Sequence, residues 1–377
     1  MDFKTIQSLV AIHGTPTLFL SENRLRESYR SLRTALPGVT LYYAVKSNAA
    51  PQIVSILSHE GSHFDICSNG EIEILKECAV APQRCIHTHP IKRDSDITYA
   101  LDYGVTTFIA DNEHELEKFV QYRNRVRILI RMSIQNPGCL VNLSQKFGIA
   151  PEKTWSLIRK AHKLGLTIAG ISFHAGSQNE NALKYIEALE YCRDIYRKAA
   201  LRGINFDTID IGGGFPISYL TSVIPIVQFC QPINEYLDRF FSNYHIIAEP
   251  GRFISGPSMS LATRVMGKAL RNGRWWYYLD DGMYGSFSGK MYDHADYPMW
   301  VERNGQRFTS VLAGPTCDSI DVIYDNISLP HLEIGDLLIF NSMGAYTSAS
   351  ASNFNGFPQA KIVLINTQTE AVSGICK

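Results

Sequence analysis

Residues 39–48 read VTLYYAVKSN, an apolar run that ends in a lysine. Residues 39–45 have the β-branched and aromatic content of a buried strand, and the run leads directly into Lys46. A lysine at a strand end can simply reach into water with its ammonium group. It can also be enclosed because its amine is covalently occupied, as a Schiff base with a carbonyl cofactor. The rest of the chain has to decide between these two interpretations.

Further short apolar runs follow, and they alternate with longer amphipathic stretches up to about residue 255. Strand patterns separated by helical patterns are typical of βα units that form a parallel sheet. For this chain length, closure into a (β/α)8 barrel is the most economical interpretation. An open doubly wound sheet would give no reason for polar residues at so many strand ends. The predicted strands are TLYYAVKS, SHFDIC, RCIHTHP, TTFIAD, RVRILIRMS, TIAGISFHAG, FDTIDIGGGFP and YHIIAEPG.

The pattern changes after about residue 255, where short strands alternate with turns and helical stretches are few. The runs RWWYYLDDG, RFTSVLAG, DLLIFNS and AKIVLIN predict an antiparallel β domain, which the N-terminal TPTLFL (15–20) is expected to join. We therefore predict an α/β protein with two domains. Residues 21–257 form the barrel, and residues 1–20 and 258–377 form the β domain.

The composition excludes several classes of protein. The 377 residues carry 36 basic and 36 acidic side chains, so no overall field favours nucleic acid or an anionic membrane. No run approaches the roughly 18 apolar residues of a membrane span, and the start MDFKTIQSLV lacks the apolar core of a signal peptide. The eight cysteines form no CxxC pair, which predicts reduced thiols in a cytoplasmic protein without a metal site.

Polar residues stand at the ends of the predicted barrel strands, where the active site of such a barrel collects. Each has an ordinary structural explanation when taken alone: a glycine triplet usually makes a tight turn, and a single histidine is usually a satisfied core residue. Their repetition at corresponding places in successive units predicts a functional site. In chain order they are Lys46, Asp65, His89, Arg131, His174, Gly212, Gly213, Gly214, Glu249 and Arg252.

This group of residues suits a cofactor that carries a phosphate. The glycines after FDTIDI let backbone N–H groups approach an anion closely, and Arg252 can donate a bidentate pair of hydrogen bonds to it. Glu249 can keep a pyridine nitrogen protonated, which makes pyridoxal phosphate (PLP) a strong electron sink. His174 offers a flat ring to lie against the cofactor. Together with Lys46, these residues predict a PLP enzyme.

The β domain contains a second cluster of motifs. These are GMYGSF (282–287), YDHA (292–295), GPTCDSID (314–321) and GAYTSASASNFNGF (344–357). A neighbouring cysteine and aspartate could be incidental, and a stretch rich in small residues could be a flexible surface loop. The apolar run DLLIFNSM that leads into the last motif argues against a mere loop.

In these motifs the chain resembles the ornithine decarboxylase family of fold-type III PLP enzymes. Its short length is similar to that of compact bacterial members. The matching motifs are collinear across more than 300 residues: YYAVKSN, FDICSNGEIE, KFG, FHAGSQ, DIGGGFP, AEPGR, GMYGSF, YDHA, GPTCDSID and GAYTSASASNFNGF. The family architecture, a barrel and a β domain as in alanine racemase, agrees with the prediction above. One departure is His87-Thr88-His89-Pro90, where relatives often carry an asparagine before the proline.

The resemblance implies a role for each matched residue. Lys46 is expected to form the Schiff base, Glu249 to hold the pyridine nitrogen, His174 to stack on the ring and Cys317 to protonate the carbanion. The residues expected at the cofactor phosphate are Ser177, Gly214, Arg252 and Tyr346, and Gly213 and Gly251 are also expected to bind the cofactor. Those expected around the lysine are Asp65, Glu71, Arg131 and Lys146. Asp293 and Asp318 are expected to grip the distal ammonium of the substrate, with Tyr284 and Phe354 lining the pocket.

The activity implied by the resemblance is PLP-dependent decarboxylation of a basic amino acid, L-ornithine to putrescine and carbon dioxide. Lysine, both substrates or a related diamino acid is the alternative. The family resemblance also implies a homodimer with shared sites, in which the partner supplies Cys317, Asp318, Tyr284 and Phe354.

Three rival interpretations stay open. A diaminopimelate decarboxylase would need a cation for the distal carboxylate and typically has glutamate after the cysteine, and an alanine racemase would lack the acidic grip. A non-catalytic homologue that binds a partner protein is disfavoured by the intact Lys46, Arg252, Tyr346 and Cys317.

Overall fold

The computed structural model describes residues 3–136 and 146–365, and the chain forms two compact units. The barrel unit comprises residues 29–217 and 223–254, and the β unit comprises residues 1–28, 218–222 and 255–377. The domain boundaries predicted after residues 20 and 257 stay a prediction. Cys139 and Cys376, two of the predicted thiols, and the last 12 residues of the predicted β domain lie outside the described residues; the six described cysteines are free thiols.

The secondary structure follows the predicted alternation in the barrel unit and is mostly strand in the β unit. The helices are α1 (Phe3–His13), α2 (Glu22–Ala35), α3 (Pro51–His59), α4 (Asn69–Glu77), α5 (Asp94–Tyr103), α6 (Glu113–Phe119), α7 (Pro151–Lys163), α8 (Leu183–Ala200), α9 (Ile226–Phe240), α10 (Arg252–Ser255) and α11 (Ser288–Tyr292). The strands are β1 (Thr17–Ser21), β2 (Val39–Ala44), β3 (His63–Ile66), β4 (Cys85–His87), β5 (Thr107–Ala110), β6 (Arg127–Met132), β7 (Thr167–Phe173), β8 (Thr208–Asp210), β9 (His245–Ala248), β10 (Met259–Arg271), β11 (Arg274–Leu279), β12 (Met299–Val301), β13 (Arg307–Ala313), β14 (Val322–Pro330), β15 (Leu337–Asn341) and β16 (Lys361–Ile365).

Strands β2 to β9 form a closed parallel barrel in chain order. Its seam is the pairing of β2 with β9, in which Leu41 stands opposite Ala248. All eight strand runs predicted for the barrel lie in it, so the predicted (β/α)8 fold is confirmed. Side chains from six of the strands fill a buried cluster: Tyr42, Ile86, Ile109, Leu129, Ala169 and Ile247. The interior is therefore a packed core, and chemistry is confined to its ends.

The helices of the barrel unit begin and end at residues whose chemistry suits those positions. Pro51 begins α3, where its missing N–H costs nothing. Ser68 accepts a hydrogen bond from the backbone N–H of Glu71 and so caps the start of α4. Gly104 ends α5 in the left-handed conformation, with φ 112°. These local signals fix where each helix leaves its strand, and hence which residues stand at the strand ends.

The β unit is built on one sheet with the strand order β12-β15-β10-β11-β13-β14, and β1 pairs with β10 and β16. The prediction that TPTLFL joins this sheet is confirmed, because Leu18 in β1 stands opposite Leu261 in β10. The predicted antiparallel β domain is a mixed sheet, because most of its strand pairs are antiparallel but β11 pairs in parallel with β13 and β1 in parallel with β16. Residues 280–306 separate β11 from β13, which leaves enough chain for the crossover that parallel pairing needs.

Helix α1 covers one face of the sheet with a single apolar stripe. Its buried residues Ile6, Leu9 and Val10 have the spacing of one helix face. They pack in one cluster with Phe19 of β1 and Ile339 of β15. The first turns of the chain therefore belong to the core of the β unit.

We predict that Gly170→Ala destabilises the barrel. Gly170 lies in β7 opposite Thr208 of β8, and a Cβ atom at this position would overlap the carbonyl oxygen of Thr208. Overpacking of this kind typically costs about 1–3 kcal/mol in the free energy of unfolding. Urea unfolding followed by circular dichroism measures the change.

The matched control is Gly70→Ala, because a Cβ atom there meets nothing closer than the Ser68 hydroxyl at 3.9 Å. Gly70 lies in α4, so alanine should leave the free energy of unfolding unchanged or raise it by up to about 1 kcal/mol. Equal effects of the two substitutions would show that β7 and β8 are not this close.

Candidate active site

Lys46 lies on a short 3-10 turn, Val45–Ser47, directly after β2. Its Nζ contacts Oδ2 of Asp65, on β3, in a short ion pair. The Asp65 side chain is fully buried, whereas 38% of the Lys46 side chain is exposed. Lys46 is therefore partly exposed, and its role as the Schiff-base lysine stays a prediction. The lysine stands beyond the strand, where its amine reaches back to a buried carboxylate while its stem meets solvent.

Hydrogen bonds tie the Lys46 turn to the loop after β9. The Tyr43 hydroxyl donates to the Asn48 carbonyl oxygen at 2.9 Å, and the Ala44 N–H donates to the carbonyl oxygen of Pro250 at 3.0 Å. A Cβ atom at Gly251 would lie 2.9 Å from Cβ of Ser47, so a larger residue would push the two loops apart. Gly251, predicted to bind the cofactor, thus lies against the turn that carries Lys46.

Asp65 and Glu71, both predicted near the lysine, lie close to each other. Oδ1 of Asp65 contacts the hydroxyl of Thr88, and Oε2 of Glu71 accepts the backbone N–H of Cys67 at 2.6 Å. Burial raises the pKa of Glu71 to about 7, and the Asp65 carboxylate adds to that shift. The lysine therefore faces one firmly held carboxylate and a second that is easily protonated.

The predicted glycine turn follows β8 and brings its backbone very close to its neighbours. Gly212 and Gly214 have φ of 67° and 110°, a region that L-residues rarely adopt. A Cβ atom at Gly213 would overlap the carbonyl oxygen of Glu249, and one at Gly214 would overlap that of Gly176. Only glycine lets this backbone pass so close to the loops after β7 and β9. The backbone of this turn carries no side chains that would block the approach of an anion.

Arg252 lies beside Ser177, as expected for two residues predicted to hold one phosphate. Nη2 of Arg252 donates to the Ser177 hydroxyl at 2.8 Å, and Nε donates to the same oxygen at 3.3 Å. The guanidinium is almost fully buried, with 4% of the residue exposed. A buried arginine next to a hydroxyl and a bare glycine backbone fits a bound phosphate group.

His174 lies beside the glycine turn. Its Nδ1 accepts the N–H of Gly176 at 3.0 Å, and a Cβ atom at Gly213 would be 3.2 Å from its Nε2. Burial lowers the pKa of His174 to about 3, helped by the positive charges of Arg131 and Lys46. The ring is therefore neutral at physiological pH, as suits a flat surface for stacking.

Glu249 is the residue whose surroundings point most directly to a cofactor. It is buried, and its Oε1 makes no hydrogen bond with any residue in 3–136 or 146–365. Burial raises its pKa well above the ordinary value, and the neighbouring Asp210 and Asp65 raise it further. A buried carboxyl group that lacks a donor is costly. A protonated ring nitrogen would supply both the missing donor and a compensating charge, so these residues fit PLP.

His89, Arg131 and Lys146 meet at the ring of Phe147. The His89 ring lies edge-on at 5.5 Å, the Arg131 guanidinium at 5.7 Å and the Lys146 ammonium at 5.0 Å from the ring centre. Strand β6, which carries Arg131, and the loop that carries Lys146 are thereby linked at the rim. The contact explains why the motif KFG belongs with the strand-end residues.

Four predicted residues of the β unit lie close together, and all are exposed or partly exposed. The Tyr284 hydroxyl donates to Oδ2 of Asp318 at 2.6 Å, and its ring stacks on Phe354 at 4.3 Å. Cys317 is exposed, and its N–H donates to the side chain of Asn355 at 3.0 Å. The Tyr284 hydrogen bond lowers the pKa of Asp318. Cys317 and Asp318 line a cleft of about 520 Å³. A thiol and an ionised carboxylate are thus presented at the surface side by side.

Asp293 and Tyr346 meet at Gly289 instead. The backbone N–H of Asp293 donates to the Gly289 carbonyl oxygen at 3.0 Å, and the Tyr346 carbonyl oxygen lies 2.9 Å from where a Cβ atom of Gly289 would be. Asp293 is buried, and Tyr346 has the left-handed φ of 55°. The two predicted substrate carboxylates therefore differ in setting: Asp293 is buried, and Asp318 is partly exposed.

Asp210 and Thr88 belong to this site but are not among the residues predicted from the sequence. Asp210 ends β8 and accepts the N–H of Gly212 at 2.9 Å, and burial raises its pKa. Thr88 follows β4 and contacts Asp65. Both stand at strand ends, so the rule that found Lys46 and Glu249 would have found them.

Comparisons with known proteins agree with this geometry. The family described as "Pyridoxal-dependent decarboxylase, pyridoxal binding domain" matches residues 22–256. The lysine/ornithine decarboxylase of Selenomonas ruminantium is 38% identical over 97% of this chain and 94% of its own. The lysine/ornithine decarboxylase of Vibrio vulnificus, crystallised with putrescine and with cadaverine, is 47% identical with a TM-score of 0.91, over 96% of this chain and 97% of its own. Antizyme inhibitor 2 of Xenopus laevis is 36% identical over 90% of this chain and 78% of its own.

The match to the pyridoxal-binding domain covers the part of the chain that carries Lys46, His174, Glu249 and Arg252. The relatives extend the likeness through the β unit. The chain belongs to the pyridoxal-dependent decarboxylase family, the fold-type III PLP-dependent amino acid decarboxylases.

Proposed function

We propose that this enzyme decarboxylates L-ornithine to putrescine and carbon dioxide, with L-lysine as the alternative substrate. The observation that carries the proposal is the ion pair of Lys46 with the buried Asp65, at the same barrel end as Arg252 and Glu249. Relatives named as lysine/ornithine decarboxylases, and structures of one of them with putrescine and cadaverine, support this choice of substrates.

In this proposal the barrel unit holds the cofactor. Lys46 Nζ would bind the carbonyl carbon of PLP, and Arg252 with Ser177 would bind the phosphate beside the bare backbone of Gly213 and Gly214. Glu249 Oε1 would accept a hydrogen bond from the protonated ring nitrogen. Tyr346 is assigned to the same phosphate, and Gly251 to the cofactor. PLP, when bound, draws electron density from the substrate α-carbon, which allows the carboxylate to leave as carbon dioxide.

The side chains of this protein supply orientation and protons. The neutral ring of His174 offers a flat face without a competing charge. Asp65 holds the proton on the lysine nitrogen. Cys317 Sγ would deliver a proton to the α-carbon after the carboxylate has left. Asp293 and Asp318 would bind the distal ammonium, with Tyr284 and Phe354 as the walls.

Selectivity for a basic amino acid follows from the charge of these side chains. Tyr284 donates to Asp318 and keeps it ionised, so a carboxylate is ready for an ammonium group. A distal carboxylate, as in diaminopimelate, would be repelled by Asp318. The length of the substrate is a finer question, because one methylene group in a pocket is worth only about 1–3 kcal/mol.

We further propose a homodimer in which the partner subunit supplies Cys317, Asp318, Tyr284 and Phe354. Supporting this, apolar side chains near this group stay exposed in one subunit, among them Tyr292, Ile320 and Phe354. Exposed apolar groups gathered around reactive residues are typical of an interaction surface. An isologous contact would bury this surface twice and complete two sites.

The place of the reaction in the cell belongs to the same proposal. Putrescine or cadaverine as product would serve polyamine synthesis in the cytoplasm, where the six described cysteines stay reduced. Within the described ranges, no helix has the length and apolar character of a membrane span.

A non-catalytic role is the second candidate because one relative is named antizyme inhibitor. The lysine–carboxylate pair at Lys46 and the Arg252–Ser177 contact argue for catalysis. A carbon dioxide release assay of the purified protein against ornithine, lysine, arginine and diaminopimelate decides between the two roles and ranks the substrates.

The first prediction from this proposal concerns Lys46. The purified protein should be yellow, and borohydride should abolish its absorption band. Lys46→Ala should lose the band and turnover, since no other amine pairs with Asp65 in the described residues. Lys184→Ala, at a surface pair with Glu187, is the control and should keep both. A reducible band and turnover in Lys46→Ala would refute the assignment.

The second prediction concerns the shared site. Lys46→Ala and Cys317→Ala should each be inactive alone. If the partner supplies Cys317, mixing the two variants under subunit exchange should restore up to about a quarter of wild-type activity, because half of the dimers then hold one intact site of two. Activity assays and native mass spectrometry follow recovery and exchange. No recovery despite demonstrated exchange would exclude composite sites.

The third prediction concerns the acidic grip. Asp293→Asn and Asp318→Asn keep the shape but remove one charge, so kcat/KM for ornithine and lysine should fall about 30-fold or more. The cofactor spectrum should stay unchanged. Asp325→Asn, on an exposed position of β14, is the control. Near wild-type efficiency in both site variants would mean that the substrate is not held by these carboxylates.

A further inference from the structure

Thr88 links three neighbouring strands through their side chains. It follows β4, is 3% exposed, and its N–H donates to the carbonyl oxygen of Ile66 at 2.9 Å. Its hydroxyl contacts Oδ1 of Asp65, and the other oxygen of Asp65 contacts Nζ of Lys46. The two oxygens of one buried carboxylate are therefore divided between the hydroxyl and the lysine.

Cys67 extends this series of side-chain hydrogen bonds beyond Thr88. Its Sγ lies 3.6 Å from the Thr88 hydroxyl oxygen. Burial raises the pKa of Cys67 to about 12, so the group stays a thiol and can donate its proton to Thr88. A hydroxyl has one proton to give. The Thr88 hydroxyl donates its proton to Asp65, so its oxygen can accept the proton of the thiol.

The surroundings explain why such a donor is needed. Five other titratable groups surround Lys46 and Asp65: Cys67, Glu71, His174, Asp210 and Glu249. The positive charge of Arg131 acts on His174. Burial raises the pKa of Glu71, Asp210 and Glu249, so these carboxyl groups compete for protons in one small region. A hydrogen bond to an ionised form favours that form.

We propose that Thr88 is a positioning residue whose hydroxyl holds the Asp65 carboxylate aimed at the nitrogen of Lys46. The inference rests on the proposed function, because it takes Lys46 as the lysine that binds PLP. Thr88 does not touch substrate or cofactor in this proposal. It acts only through Asp65, which keeps the proton on the lysine nitrogen.

The test is a pH titration of the absorption band of the PLP-loaded enzyme, with Thr88→Val. Without the hydroxyl, the Asp65 carboxylate is held less firmly against the lysine nitrogen and stabilises a positive charge there less. The nitrogen should then lose its proton at lower pH, and the midpoint should fall by about one pH unit. The pH dependence of PLP uptake by protein stripped of PLP should shift in the same direction, since uptake requires the Lys46 amine in its unprotonated form.

Three variants separate positioning from folding. Thr88→Ser keeps the hydroxyl and should restore both wild-type midpoints. Thr154→Val makes the same change at a buried threonine of α7, whose hydroxyl donates to the carbonyl oxygen of Ala150, and should shift neither. Thr88→Ala removes the hydroxyl without adding a methyl group, and it replaces the valine variant if that protein shows no cooperative melting.

The outcomes are distinct. Midpoints of the hydroxyl-free variant within about 0.2 pH units of wild type, in both titrations, would overturn the role of Thr88. A serine variant that shifts as much as valine would do the same. A wild-type protein that takes up no PLP would instead overturn the proposed function.

Discussion

The pairing of β2 with β9 is the constraint on which the site depends. These strands lie at opposite ends of the barrel sequence, and their backbone hydrogen bonds close the ring. Closure brings the turn that carries Lys46 against the loop Glu249-Pro250-Gly251, with the Ala44 N–H bonded to the Pro250 carbonyl oxygen. The small size of Gly251 permits this approach. A lysine and a carboxyl group about 200 residues apart thereby come to share one end of the barrel.

The second constraint is the balance of charge at that end. Asp65, Glu71, Asp210 and Glu249 gather around one lysine, and burial raises the pKa of the last three. Such a cluster would cost stability in an ordinary core. It is consistent with a site that receives a cationic ring nitrogen, and it makes the placement of each proton depend on local donors such as Thr88 and the Gly212 N–H.

The β unit holds its predicted site residues through local contacts. Its reactive group is held by short local contacts, in which Tyr284 orients Asp318 and Asn355 holds the backbone of Cys317. Asp321 braces the same loop by accepting the N–H groups of Met283 and Thr316. The exposed Cys317 thiol and the partly exposed Asp318 carboxylate are thus held in place by local hydrogen bonds.

The sequence by itself determined the barrel, because each of its strands is a short apolar run followed by a helix with clear start signals such as Pro51 and Ser68. It also placed Lys46, His174, Glu249 and Arg252 at strand ends, since that follows from chain order alone. The mixed pairing of β11 with β13 depends on a long crossover, and no local pattern records it. Only the tertiary structure decided that Lys46 is half-exposed, that Asp65 divides its oxygens between Lys46 and Thr88, and that Asp293 is buried while Asp318 is not. Those facts depend on strand register and side-chain direction between residues far apart in the chain, which a one-dimensional pattern does not contain.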